Sequence, residues 1–461
     1  MDNANSGPVP TRIAGAVAPL HGRTFSVLAI AAAIAVLGFR FFQLICKYSV
    51  NCFYMDQWGY LSPFFGHRSS FADLFFYQHG PHRMGIGLIP DKFLYPLTHW
   101  NSRVDSFVIG IIIFAAMLVA LQLKRKLFGP ISYSDISIPV IFLSVEQYET
   151  LLEVPNPAPY AFPLLLLMLY CLALVSRNRL LRYTLVLILN VLLIYTGYGL
   201  VMGVVTVGVF LLECYWSWRR LTSVPPTYPL IALSVAIASF GSFFIHYEVL
   251  PRMGCFGASG SSPLQYAEFV SLMFSASVVP NHHRLVTLKL LGVGILLAVI
   301  VLVGLHSVRL LRRVHGNSDL VGGILLAFCL LFAIATAVGR LCIGLDEAYR
   351  SRHATLLIPA FLAIYFCLLS KSWLGKRSLV LALFVLSLLP AALHQPRTQA
   401  QWLSDHKRAW AACYVRADNI GYCNQQADIV LNPYPERVHL QQKLDYLKEH
   451  RLNFFYEPAS K

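Results

Sequence analysis

Long apolar runs separated by short polar segments dominate this chain. A helix that crosses a bilayer needs about 20 mostly apolar residues. Eleven runs approach that requirement: 24–45, 106–123, 136–152, 160–175, 183–196, 199–216, 228–247, 286–306, 319–338, 354–370 and 378–393. The pair on either side of Thr196-Gly197-Tyr198-Gly199 can also be read as one broken helix, although 183–218 is too long for a simple span. The pattern predicts an all-α polytopic membrane protein of about eleven spans. Residues 24–393 form its transmembrane domain, between an N-terminal segment (1–23) and a small tail (394–461).

Basic clusters recur at every second polar segment. They are Lys124-Arg125-Lys126, then Arg177, Arg179 and Arg182, then Arg219-Arg220, then Arg309, Arg312 and Arg313, then Lys371, Lys376 and Arg377. With eleven spans all of them fall on one side, and the positive-inside tendency makes that side cytoplasmic. The N-terminus is then inside and the tail outside, periplasmic in a bacterial inner membrane. No small-residue cleavage site follows the first apolar run, so the run reads as a retained helix rather than a cleaved signal. The outer side receives a long first loop (46–105), the stretch 146–160, a Gly/Ser-rich loop (248–285), the polar gap 339–353 and the tail. Loops as long as the first are uncommon unless functional, and its many aromatics predict that it is structured.

Composition agrees with this reading. The chain is 57% hydrophobic and 13% charged, which excludes an ordinary soluble domain. Its formal charge of +15 sits in short clusters between apolar runs. No basic stripe is interleaved with exposed aromatics, so nucleic acid is set aside as a partner. Cys413 and Cys423 lie in the outer tail, where a disulfide is permitted, and Cys46 and Cys52 flank the start of loop one in the same way. No cysteine pair has zinc-ligand spacing, and most of the ten cysteines read as small buried apolar residues. Leu440, Leu444 and Leu447 recur at helical spacing, which predicts a short amphipathic helix packed onto the tail.

Four constellations could carry chemistry. Asp56 stands among aromatics in Tyr54-Met55-Asp56-Gln57-Trp58-Gly59-Tyr60. It reads either as a general base in a buried setting or as a solvated Asp in an interfacial aromatic belt. Gln78-His79-Gly80-Pro81-His82-Arg83 could contact an anion or a sugar; two histidines without a third ligand make a weak metal site. Glu146, Glu149 and Glu153 would share one face at the outer end of the 136–152 helix and meet cations, a sugar or water.

The gap GRLCIGLDEAYRSRHAT (339–355) gathers Arg340, Arg350, Arg352 and His353. Charge at membrane depth is costly and marks a binding site or a substrate path. Guanidinium grips phosphate in a bidentate fork, and the helix that follows adds partial positive charge. The competing reading pairs these arginines with Asp346, Glu347 and the glutamates of 146–153. The helix N-terminus that directly follows Arg350-Ser351-Arg352-His353 favours phosphate binding over pure structure.

The order of these segments resembles the GT-C glycosyltransferase superfamily, more narrowly its bacterial polyprenyl-phosphate-sugar-dependent and O-antigen-modifying members. The resemblance is carried by MDQWGY (55–60), HGPHRMGIGLIPDKF (79–93), LLEVPNPAPYAFPLLLLML (151–169), TGYGLVMGVV (196–205) and the arginine gap. It implies transfer of a sugar, with inversion, from a polyprenyl-phosphate-sugar donor lipid to a glycan, lipid or protein acceptor on the outer face. Asp56 would be the base, and Arg340, Arg350, Arg352 and His353 would hold the donor phosphate. Gln57, Trp58, His79, His82, Arg83, Glu146 and Glu149 would line the substrate site. Gln57 stands where many relatives carry a second carboxylate, which leaves a divalent metal open, and His353 stands where relatives are often aromatic. Because the tail is short, acceptor recognition would fall to loop one and to 248–285. A transporter or flippase of a lipid-linked or anionic substrate suits the broken helix and the charges at membrane depth. A non-catalytic scaffold would tolerate alanine at all of these positions.

Overall fold

The computed structural model describes residues 20–65, 69–249, 262–279, 285–312, 316–370 and 377–456. Most of the N-terminal segment, the centre of the 248–285 loop, and Arg313, Lys371 and Lys376 lie outside the described residues. Helix dominates, and among the described residues seven helical stretches are long and apolar enough to cross a membrane: Thr24–Tyr48, Arg103–Phe128, Leu200–Trp218, Val286–Arg312, Asn317–Ile343, Ser351–Ser370 and Ser378–Ala417. Ala161–Leu174 and Thr227–Ser242 are apolar but shorter. The chain is therefore an all-α membrane protein by length and composition of its helices.

In chain order, α1 (Leu20–Tyr48) leads into loop one. That loop holds α2 (Gln57–Tyr60), α3 (Phe71–Phe75), a hairpin of β1 (Gln78–His79) and β2 (His82–Arg83), and α4 (Gly85–Thr98). Then come α5 (Arg103–Phe128), α6 (Ser137–Phe142), α7 (Ala161–Leu174), α8 (Arg179–Ile194), α9 (Leu200–Trp218) and α10 (Thr227–Ser242). They are followed by α11 (Pro263–Ala276), α12 (Leu285–Arg312), α13 (Asn317–Arg340), α14 (Ala354–Ser370) and α15 (Arg377–Leu393). The tail folds as α16 (Arg397–Ala417), α17 (Ile420–Gln426) and α18 (Leu440–Glu449). Sequential helices pack on one another from α7 to α10 and from α11 to α14, and α5 packs on α7.

Loop one is structured by its aromatics. Phe53 meets Trp58, Tyr95 and Trp100 edge-on, and Phe65 bridges Trp100 to Tyr446 of α18. The leucines at helical spacing in the tail, Leu440, Leu444 and Leu447, are buried along one side of α18. Cys413 and Cys423 form a disulfide between α16 and α17. Cys46 and Cys52 are both free: Cys46 is exposed at the end of α1, while Cys52 is buried with its N–H donated to Ser102 Oγ at 3.0 Å.

The 136–152 run is not one helix. Only α6 is α-helical; Val145–Gln147 is a 3-10 turn and Glu149–Glu153 a π turn. The reason is local polarity. Ser144 accepts the N–H of Glu146 at 3.3 Å, and Gln147 Nε2 donates to the carbonyls of Phe142 (2.7 Å) and Ser144 (3.0 Å). Side chains that bond nearby backbone compete with the helical ladder. The run between 196 and 199 is a break between two helices, pinned to loop one: Gly197 sits at φ +79° and donates its N–H to Arg83 O at 2.7 Å. A Cβ there would meet Pro159 Cα at 3.2 Å, so both backbone angle and space select glycine. Part of the expected 248–285 loop is helical, with Ser262 capping α11.

Candidate functional site

The segments expected on the outer side converge on one cavity of about 750 Å³. Loop one supplies Asp56, His79 and His82; the π turn supplies Glu149 and Glu153. The α7 and α9 approaches supply Tyr160 and Tyr198, the arginine gap Arg340 and Arg352, and the tail Tyr434 and Arg437.

Asp56 is exposed and faces this space, rather than being buried among the aromatics. Its backbone position is unusual. Met55, just before it, has φ +51°, a left-handed conformation that a non-glycine residue rarely adopts. The tail holds it there: Met55 donates its N–H to Leu431 O at 2.8 Å, and Asn432 Nδ2 donates to Met55 O at 2.9 Å. Lys443 of α18 donates to the Trp58 carbonyl and, at 2.6 Å, to Ser62 Oγ, and burial pushes its ammonium down to about 8. Two other residues of this stretch serve as supports. Gln57 is buried, donating to Pro155 O at 2.8 Å and accepting the N–H of Tyr54 at 3.0 Å. Trp58 is fully buried, with its indole N–H donated to Phe53 O at 3.1 Å.

The hairpin sets His79 opposite His82. His79 lies directly over Gly59, where a Cβ would come within 2.5 Å of its ring. Burial lowers its affinity for a proton, opposed by Asp56 and reinforced by Lys443. The His82 ring lies 4.7 Å from that of Tyr198. Burial pushes His82 down to about 3, and the charge of Arg340 adds to the effect. Both imidazoles are therefore neutral near pH 7 and able to accept a hydrogen bond. Arg83 points elsewhere, donating to the carbonyls of Phe76, Phe243 (3.1 Å) and Ile245 (2.5 Å), and so ties loop one to the end of α10.

The glutamates do not share a face. Glu146 contacts His394 in a separate cavity of about 330 Å³, which also holds Arg350 and Glu347. Glu149 and Glu153 turn to the arginine gap. Arg350 meets Glu149 at 3.5 Å, Glu153 at 4.0 Å and Glu347 at 3.2 Å, and Arg352 meets Glu347 at 3.0 Å. Glu149 also accepts the backbone N–H of Arg352 at 3.2 Å. Burial, followed by the Glu153 carboxylate, pushes Glu149 up to about 7. The network forms a partition between the two cavities, since Glu149 borders both.

Arg340 stands apart from this network. Among the described residues no carboxylate lies within ion-pair distance of it, yet it borders the main cavity within electrostatic reach of His82 and Tyr160. Arg437 is likewise without a carboxylate partner among the described residues, its guanidinium lying 4.9 Å over the Tyr434 ring. His353 is buried beside α13, 6.2 Å from the Phe332 ring, with neither ring nitrogen bonded among the described residues, and it does not border the cavity. Among the described residues no group of three His, Cys, Asp or Glu side chains could hold a metal ion.

Sequence reasoning missed the tail. Asn432, Tyr434 and Arg437 lie in a segment with no motif, Lys443 lies within the leucine stripe, and only the tertiary fold brings them beside the Asp56 segment. No family model matches this chain, and comparison with curated proteins and with solved structures finds no match.

Proposed function

We propose that this protein is an integral membrane glycosyltransferase that moves a sugar from a polyprenyl-phosphate donor to an acceptor hydroxyl at the outer face, with inversion. The observation that carries the proposal is the main cavity: a carboxylate, Asp56, and a guanidinium, Arg340, with no carboxylate partner among the described residues, border one space with two neutral imidazoles. In this reading the acceptor O–H gives its proton to Asp56, and the oxygen attacks the anomeric carbon from the face opposite the phosphate. The carbon–phosphate-oxygen bond breaks, and polyprenyl phosphate leaves with the bonding electrons. Preorganised cations stabilise charge as it develops on a leaving group, which is the role given to Arg340 with Arg352 beside it. Arg350 acts through the partition, by neutralising Glu149 and Glu153 so that they do not repel the phosphate. His79 and His82 accept hydrogen bonds from sugar hydroxyls.

The test is donor-dependent transfer by the purified full-length protein, given radiolabelled polyprenyl-phosphate hexose or pentose and crude envelope acceptor. Wild type should transfer label, Asp56→Asn should not, and Arg340→Ala should weaken donor binding more than Arg350→Lys. Equal transfer by wild type and Asp56→Asn would remove Asp56 as base. Movement of intact donor across proteoliposomes without any product would replace the enzyme by a flippase.

A further inference from the structure

If Asp56 is the base, the acceptor hydroxyl must lie against it, and the surface next to Asp56 then reads out the acceptor. The tail supplies that surface, since Tyr434 and Arg437 border the same cavity as Asp56. One side chain makes the connection: the Asn432 carboxamide donates to Met55 O at 2.9 Å and accepts the Tyr434 N–H at 2.7 Å. The residue before Asp56 and the start of the Tyr434 turn are thus held by the two ends of one buried amide. The turn continues with Arg437 donating its N–H to Tyr434 O at 3.1 Å, which brings both side chains to the cavity edge.

The chemistry of this edge is specific. Tyr434 and Arg437 are exposed, on a segment whose backbone is fixed by Asn432. An exposed aromatic face suits the apolar face of a sugar ring. A guanidinium lying over that aromatic, with no carboxylate partner among the described residues, keeps its donor edge available and suits a carboxylate or phosphate. The other guanidinium without a carboxylate partner at this cavity, Arg340, comes from the α13 end of the opposing segment, so the two cations serve different anions.

We propose that Tyr434 and Arg437 form an acceptor subsite for a saccharide that carries an acidic group, a carboxylate or a phosphate, beside Asp56. The proposal rests on the glycosyltransferase reading for the word acceptor, but the binding it asserts can be measured without catalysis. Arg340 receives the donor phosphate; Arg437 receives the acid of the acceptor; and Tyr434 carries the ring between.

The experiment is equilibrium binding to full-length protein in detergent micelles, with three probes: trigalacturonic acid, the same trisaccharide with its carboxyl groups reduced, and a phosphorylated maltotriose. Wild type should bind at least one charged probe about tenfold more tightly than the neutral one, as a charge-assisted contact implies. Arg437→Ala should abolish that preference, Arg437→Lys should keep part of it, and Tyr434→Ala should weaken all three probes. Preference for the uronic acid or for the phosphate identifies the source of the acid, and either supports the subsite. Equal affinity for charged and neutral probes, or a preference untouched by Arg437→Ala, would overturn it. Asp56→Asn separates the two claims. It should keep the charge preference while losing transfer. Transfer that survives in Asp56→Asn, with the Arg437-dependent preference intact, removes the base and leaves the subsite. Transfer that needs Asp56, without any dependence of binding on Arg437, removes the subsite and leaves the base.

Discussion

The strained backbone at Met55 gives a direct measure of how far the tail positions Asp56. In Asn432→Ala two hydrogen bonds disappear, one to Met55 O (2.9 Å) and one from the Tyr434 N–H (2.7 Å). Asn432 is 5% exposed, so water does not easily replace them. Each bond is worth roughly 0.5–1.5 kcal/mol net, and a buried partner left unsatisfied adds roughly 1–3 kcal/mol. A local loss of about 2–3 kcal/mol follows, and since about 1.4 kcal/mol is a factor of ten, opening of this segment should become roughly 30- to 140-fold more frequent. Hydrogen exchange of the amides in 54–60 reads that directly, the Met55 amide above all, because its partner is Leu431 O in the tail. Exchange in α13 and α14 should not change. The rate of transfer should fall with the loss of order at Asp56, while donor binding at Arg340 stays near wild type. Asn432→Asp is the sharper control: it keeps the acceptor for Tyr434 but sets an oxygen against the Met55 carbonyl, and should be at least as damaging. Unchanged exchange at 54–60 in Asn432→Ala would refute the reasoning whatever the protein's activity, because it would show that the tail does not hold the Asp56 backbone.

Three further outcomes can be checked independently. Glu149 holds its proton up to about 7 against an ordinary 4.5, so its contribution to stability is full at low pH and lost as pH rises through that window; Glu149→Gln should flatten the fall in thermal midpoint between pH 5 and pH 8. Gly59→Ala places a Cβ 2.5 Å from the His79 ring and should push the imidazole into the cavity, raising its pKa toward the ordinary 6.5, as read by ring-proton NMR. Replacing Cys413 and Cys423 together by Ser removes a short cross-link worth about 3 kcal/mol by the loop-closure argument, and should raise hydrogen exchange in 420–432 before it affects the membrane helices.

What the sequence made legible and what it did not differ for physical reasons. Hydrophobic periodicity reports burial within one element, so the long apolar helices and the Leu440, Leu444 and Leu447 stripe of α18 could be read directly. The arginine gap was legible as a place of chemistry because charge beside an apolar run is itself a signal. The 136–152 run misled because it is apolar enough for a helix, while its polar side chains bond locally and across to α14: Thr355 donates to Gln147 Oε1 at 2.9 Å, some 208 residues away in the chain. Such partners leave no trace in local spacing. The same holds for Gln57, Trp58 and Arg83, whose neighbours look functional but whose own polar atoms are taken up by the backbone. Asn432 and Lys443 were invisible for the converse reason, because ordinary polar residues in a short tail become critical only through contacts with loop one.

Ion pairing and phosphate binding in the arginine gap fall on different residues. Arg350 and Arg352 have carboxylates within 3.5 Å, and removing either takes a cation away from the largely buried glutamates of the partition. Breaking a buried ion pair by deleting one partner is far more damaging than the pair's own worth. Loss of activity in Arg350→Ala would therefore not reveal phosphate binding, since collapse of the partition would produce the same result. Arg340 has no carboxylate partner among the described residues, and its substitution leaves no carboxylate exposed to repulsion. A decrease in donor affinity at Arg340→Ala, with the unfolding midpoint held, isolates the cation available to a ligand from the cations already used by the fold. The same logic selects Arg437 over Lys407, Lys443 and Lys448, because Lys407 is already committed to the carbonyls of Leu152 (3.0 Å) and Glu153 (2.7 Å), Lys443 to Trp58 and Ser62, and Lys448 to Asp418.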